Sequence, residues 1–180
     1  MVNSEVLVNL ETMGSAQLKI NNNFATLDDA INEILEEIIA SSYLRNGTIT
    51  CTLADTWYPL SGILNRKSTE GFTINGDSIS YASLVNRILK INYFVSTKCS
   101  KNGATLTFAV MKTRATIETE VEGSDKPREF STSTLGSLSN GTTEEVQTGD
   151  KLQLVVKSSI AANVLTELSI NTVVSKAHSK

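Results

Sequence analysis

The hydrophobic period of this sequence changes near residue 45, and that change constrains the fold more than any other feature. Beyond Leu44, apolar residues recur at every second position. Ile49, Cys51 and Leu53 alternate with Thr48, Thr50 and Thr52, and Leu89, Ile91, Tyr93, Val95 and Cys99 share one parity. Leu106, Phe108 and Val110 follow, then Ala115, Ile117 and Val121, then Leu152, Leu154 and Val156, and last Val164, Leu168, Ile170 and Val174. A period of two places alternate side chains on one face of a strand. Asn-Gly pairs at 46–47, 75–76, 102–103 and 140–141, with Gly149-Asp150, read as turns, because both supply the positive φ of tight hairpins. They punctuate eight or so strands. Residues 45–180 are therefore expected to form an antiparallel β-sandwich, for which a jelly roll is the natural candidate.

Ahead of residue 45 the period is helical. Ile20, Phe24, Leu27, Ile31, Ile34 and Ile38 are spaced by alternating intervals of four and three, a heptad seam that predicts a helix over 20–44. Isoleucine at both kinds of seam position favours three strands over two. Leu35 and Ile39 widen the stripe, as they would in a helix lying on its own domain, so a trimeric stalk and an intramolecular helix both stay open. So short a seam needs the head to help hold any trimer together. Residues 1–19 stand apart. Val6, Leu7, Val8 and Leu10 form an apolar cluster outside both periods, suited to docking on another protein or to an edge strand.

Composition narrows the function classes. Sixteen basic and nineteen acidic residues give a net charge of −3, with no basic patch of the kind that counterion release to nucleic acid requires. No stretch reaches the length of apolar sequence that spans a bilayer, and Met1–Glu5 lacks the positive start of a secretory signal, so synthesis in a cytosol without membrane insertion is expected. Two cysteines, Cys51 and Cys99, are too few for a disulfide scaffold and fall in phase with strand core positions, where buried thiols are expected.

Several motifs then occur together. Gly76-Asp77-Ser78-Ile79-Ser80-Tyr81, the strand Ile91–Ser96 and the turn Lys101-Asn102-Gly103 lead to Gly149-Asp150 before Lys151–Val156, and to a closing strand over 165–174. In this order they resemble the tumour-necrosis-factor-like jelly roll, especially the versions that cap bacteriophage fibres. Gly14–Leu27, with Lys19-Ile20-Asn21-Asn22-Asn23-Phe24 at its centre, resembles the lead-in of phage tail and head fibre proteins. The resemblance implies a mainly β protein with a short trimeric coiled coil, anchored to the virion through Val6, Leu7, Val8 and Leu10. It implies a homotrimer whose last strand runs along the threefold axis, attached to other virion proteins, with a host surface receptor as a further partner. Head fibre or capsid decoration is the first expectation and a tail-fibre tip the alternative, either one at the virion surface. Such axes are often aromatic. Aromatic residues make up only 6% of this sequence, so Tyr93, Phe94, Phe108 and Phe130 are the candidates.

No catalytic, cofactor-binding or metal-binding residue is expected. The one histidine, His178, lies in the terminal tail, which leaves no histidine-based triad or multi-histidine zinc site within one protomer. Glycine patterns for nucleotides or an activated serine are missing. Glu118 and Glu120 share one strand face, but a solvated face with Ile117 and Val121 turned the other way explains them without glycosidase chemistry. The polar segment 123–128, with Ser124, Asp125, Lys126 and Arg128, is the candidate receptor loop.

Overall fold

The computed structural model describes residues 38–68 and 71–177. Twelve strands follow one another: β1 (Ile38–Cys51), β2 (Tyr58–Pro59), β3 (Leu64–Ser68), β4 (Phe72–Asn75), β5 (Ser78–Tyr81) and β6 (Arg87–Cys99), then β7 (Ala104–Arg114), β8 (Ile117–Glu120), β9 (Lys126–Phe130), β10 (Gly136–Val146), β11 (Lys151–Ser158) and β12 (Asn163–Lys176). One sheet has the order β10-β6-β12-β1-β3. The other runs β4-β5-β11-β7-β8, with β2 also paired to β11 and β9 to β7. Neighbours in the sheets are distant in sequence, as a jelly roll requires: β12 lies between β6 and β1, and β11 between β5 and β7.

Alternation in the sequence maps directly onto burial. Leu89, Ile91, Tyr93 and Val95 of β6 and Leu168, Ile170 and Val174 of β12 turn inward, to meet Leu106, Phe108 and Val110 of β7 and Leu152, Leu154 and Val156 of β11 in one core. Full burial of each aliphatic residue stabilises the fold by roughly 1.5–3 kcal/mol. Phe130 meets Phe108 edge to face at 6.1 Å. Cys51 and Cys99 are buried free thiols, as their phase suggests, and burial pushes Cys51 up to about 11. Cys99 Sγ donates to the Lys101 and Phe130 carbonyls.

Three expectations need correction. First, the helix does not extend to residue 44. Ile38 pairs with Ser175, and the strand beginning there is held by β12 on one side and β3 on the other. An interval of four residues returns to the same face in a helix and in a strand alike, so the step from Ile34 to Ile38 fits both. Pairing along two edges decides it for the strand, and the head begins at Ile38. The other seam residues, Ile20, Phe24, Leu27, Ile31 and Ile34, and the cluster Val6, Leu7, Val8 and Leu10 lie outside the described residues.

Second, two of the four Asn-Gly pairs are not turns. Asn75-Gly76 and Asn102-Gly103 do turn the backbone, with positive φ at both glycines. Asn46-Gly47 instead forms a bulge inside β1, where Asn46 takes φ 53° and the register with β12 shifts. Asn140-Gly141 runs straight through β10, opposite Tyr93 and Asn92. A Cβ at residue 141 would meet the Asn92 side-chain oxygen, so a larger residue there would make the Asn92 side chain shift. Third, Ala115 belongs to a turn at φ 56°, and Ile117 is exposed rather than turned into the core, although Val121 is buried.

Candidate functional site

The outward face of the five-stranded sheet carries exposed large apolar side chains, Phe94 and Ile88. On β6, Ile88, Lys90, Asn92 and Phe94 alternate with the core residues and therefore point away from the sandwich. Register places Phe94 between Ser139 of β10 and Asn171 of β12, with Tyr43 of β1 beyond. The adjacent row is Gly141, Asn92, Val173 and Ser41. Phe94 is 46% exposed and Ile88 50% exposed, with small or amide side chains around Phe94. Shallow depressions meet at Phe94: one is floored by Gly141 and Asn92, one lies against Tyr43 and Arg45, and one lies beside Pro127 and Ser137. Covering the exposed part of Phe94 is worth about 1 kcal/mol per protomer, on the usual scale for a large apolar side chain. Of the four aromatic candidates, Tyr93, Phe108 and Phe130 are buried in the core, which leaves Phe94 as the outward one. Burial and two carbonyl acceptors, on Phe108 and Ser124, fix the Tyr93 hydroxyl, and burial drives it up to about 12.

Paired distortions border this face. Asn46 in β1 and Glu167 in β12 both adopt positive φ, at 53° and 52°, where Gly47 lies opposite Leu168. A non-glycine residue in that region costs on the order of 1 kcal/mol, and bulges re-aim the strands that carry them. Here they set Arg45 and the Lys98–Glu167 ion pair (2.7 Å) at the upper margin of the Phe94 face.

At the end of the sandwich farthest from Ile38, a single buried residue organises the loops. Asn163 Oδ1 accepts from the Ser100 amide (3.1 Å), the Ser100 hydroxyl (3.3 Å) and the Lys101 amide (3.2 Å), while its Nδ2 donates to Ser158 Oγ (3.0 Å). Ser100 Oγ in turn accepts from Val164 N at 2.8 Å. The turn between β6 and β7 is thereby locked to the start of β12. Sequence reasoning missed Asn163. Its only signal was an amide placed directly before an apolar alternation.

The candidate receptor loop separates into two parts. Ser124 is fully buried: its hydroxyl accepts from Val110 N (3.0 Å), and its carbonyl accepts from the Tyr93 hydroxyl (2.6 Å) and Asn140 Nδ2 (3.0 Å). It clamps the two sheets and is not available to a receptor. Asp125, Lys126 and Arg128 are exposed, the last two on β9, where Arg128 lies over the Phe130 ring at 5.8 Å. Glu118 and Glu120 sit on the exposed strand β8, opposite Thr113 and Met111. Asp150 is a turn residue with a structural partner. Arg114 grips it bidentately at 3.0 and 2.7 Å, and the Gln147 amide adds a third bond. Burial opposes its charge, but these bonds outweigh that and hold the carboxyl below its usual range. Among the described residues no group of three or more His, Cys, Asp or Glu side chains is placed to hold a metal ion, and no helix is long and apolar enough to cross a membrane.

No family model and no curated protein sequence matches this protein. Solved structures do. Murine APRIL at pH 5.0 aligns over 77% of this chain and 98% of its own, with TM-score 0.55 and 11% identity. Eiger TNF from S. frugiperda covers 79% and 95%, with TM-score 0.53 and 14% identity. The globular domain of the zebrafish complement 1qA protein covers 79% and 99%, with TM-score 0.53 and 15% identity. At such identities the likeness is one of fold, and it establishes the head as a TNF-like jelly roll.

Proposed function

We propose that this protein is a non-enzymatic virion surface component of a bacteriophage, a head fibre or capsid decoration that works as a homotrimer. Its N-terminal region is the anchor and stalk, and its jelly roll projects. The observation that carries the trimer is the half-exposed Phe94 at the centre of an otherwise well-formed sheet face. A soluble monomer gains nothing from an aromatic ring there, whereas a second copy of the same protein covers it. Cyclic association of one patch with a different patch of the next copy closes a ring and leaves no unpaired surface. The seam Ile20, Phe24, Leu27, Ile31 and Ile34 favours the same stoichiometry.

The virion assignment rests on the resemblance of the Lys19–Phe24 lead-in and its neighbours to phage fibre proteins. Electron microscopy of labelled virions tests it: labelling of the capsid supports the proposal, labelling of the tail tip favours the alternative, and absence from particles overturns both. The loops locked by Asn163 favour a contact role for the far end, since rigid scaffolds present binding loops with little ordering cost. A host surface glycan or protein is the proposed partner there. Hydrolysis is not expected. Loss of a measured depolymerase activity in Glu118→Gln or Glu120→Gln would overturn the non-enzymatic reading.

A further inference from the structure

We propose that Asn102 is a self-modifying site: its amide converts without an enzyme to a carboxylate, while Asn140, in the same sequence context, is protected by the fold. The four Asn-Gly pairs form an internal comparison, because glycine at the following position leaves the backbone nitrogen least hindered in each.

Structure separates them. Asn102 is exposed in the turn between β6 and β7, the Gly103 amide has no hydrogen bond among the described residues, and the space around Gly103 is open. Asn75 is exposed beside an equally open Gly76, but the Gly76 carbonyl is tied to the Ile63 amide at 2.6 Å. Asn46 lies within the β1 bulge, where Gly47 packs against Leu44 and the Leu168 carbonyl. Asn140 is the most restrained: its Nδ2 donates to the carbonyls of Gly123, Ser124 and Asp125, and Gly141 is paired opposite Asn92.

The chemistry needs only water. The Gly103 nitrogen attacks Cγ, the carbonyl carbon of the Asn102 amide. A bond forms between those two atoms as the bond from Cγ to Nδ2 breaks, and the backbone amide proton leaves with Nδ2 as ammonia, giving a cyclic imide. Water then adds to either carbonyl, and ring opening leaves aspartate or isoaspartate. No electrons are gained or lost. At residue 102 the product places a carboxylate beside Lys101, and isoaspartate lengthens the backbone next to the Lys101 amide that Asn163 holds. The reaction therefore alters both the charge and the locking of the far-end loops.

The test is timed incubation of the full-length protein in warm, mildly alkaline buffer, with peptide mapping and isoaspartate-specific methylation at all four positions, run in parallel on denatured protein. In the native protein, conversion at Asn102 should lead, with Asn75 behind it. Asn140 should lag by at least about tenfold, because opening a paired strand is a rare event. In denaturant the four rates should converge. Native Asn140 or Asn46 converting as fast as Asn102, or Asn102 remaining an amide while the denatured protein reacts, would overturn the proposal.

Discussion

The outward faces of the two sheets are finished in opposite ways. On the seven-stranded sheet, Ala109, Met111 and Val155 point away from the core and are nevertheless buried, because Trp57 from the connection after β1 folds over them. Lys157 stacks its ammonium on the Trp57 ring at 4.3 Å, and Tyr58 and Pro59 pair with Val156 and Val155 to hold that connection down. Among the described residues, no side chain covers Phe94 and Ile88 on the five-stranded sheet in this way. Among the described residues, one outward face is thus closed by the protein's own side chains and the other stays open, as the proposed trimer requires. Apolar surface on a sheet face is no sign of assembly where the same molecule supplies a lid. It becomes one where no lid is supplied.

Removing part of the five-stranded sheet should have the largest effect. A fragment of residues 38–180 retains all of β1, whereas one of residues 46–180 loses the half that pairs with the C-terminal part of β12 and with β3. The longer fragment should melt cooperatively with a β-type circular dichroism spectrum. The shorter one should show no cooperative transition, since it strips cover from the core around Ala40. Trp57→Ala comes next. It should destabilise the head by about 3 kcal/mol, the lower end for a truncated aromatic because Trp57 is only half-buried, while sedimentation shows no change in assembly. A change in assembly would mean that the two faces are not independent.

Asp150→Asn should cost on the order of 2 kcal/mol by denaturant titration, less than a fully buried pair would, because the Arg114 side chain is 42% exposed. The sign of the pH dependence follows from the lowered folded value. Stability from this pair is present above the unfolded carboxylate value and is lost as pH falls through the lower folded value. The wild type should therefore lose melting temperature in that acidic window, and the variant should lose less. The smallest effect is Glu167→Gly, which relieves the positive φ in β12 and gives up a solvent-exposed ion pair with Lys98. A gain of roughly 0.5–1 kcal/mol in thermal melts is expected.

Much of the head was legible because alternation and burial have a common cause. The parities of β6, β7 and β11 named the core residues directly, and the Gly149-Asp150 turn before β11 was placed correctly. In β12 the positive φ at Glu167 shifts the parity, so Leu165 is buried where Val164 was expected. The misses share a physical reason as well. Ile38 satisfied two periods at once. Asn46-Gly47 and Asn140-Gly141 carry the same local chemistry as true turns, but the first is absorbed by a bulge and the second by unbroken pairing of β10 with β6. Ser124 looked like a loop residue because nothing in its neighbours indicates that Tyr93 and Val110 come from elsewhere in the sequence to meet it. Phe94 was one of four aromatic candidates, and its parity opposite Leu89, Ile91, Tyr93 and Val95 already turned it outward. The small and amide side chains around it come from β10 and β12, whose pairing with β6 the sequence did not show.

The central claim is that the Phe94 face is where copies meet, and sedimentation equilibrium of the wild type beside Phe94→Glu tests it most directly. The expected result is three protomer masses for the wild type at micromolar concentration. The variant should sediment as one protomer mass and still melt cooperatively, because the substitution puts a charge on an outward position and leaves the core intact. A wild-type monomer, or a Phe94→Glu variant that remains trimeric, would contradict it.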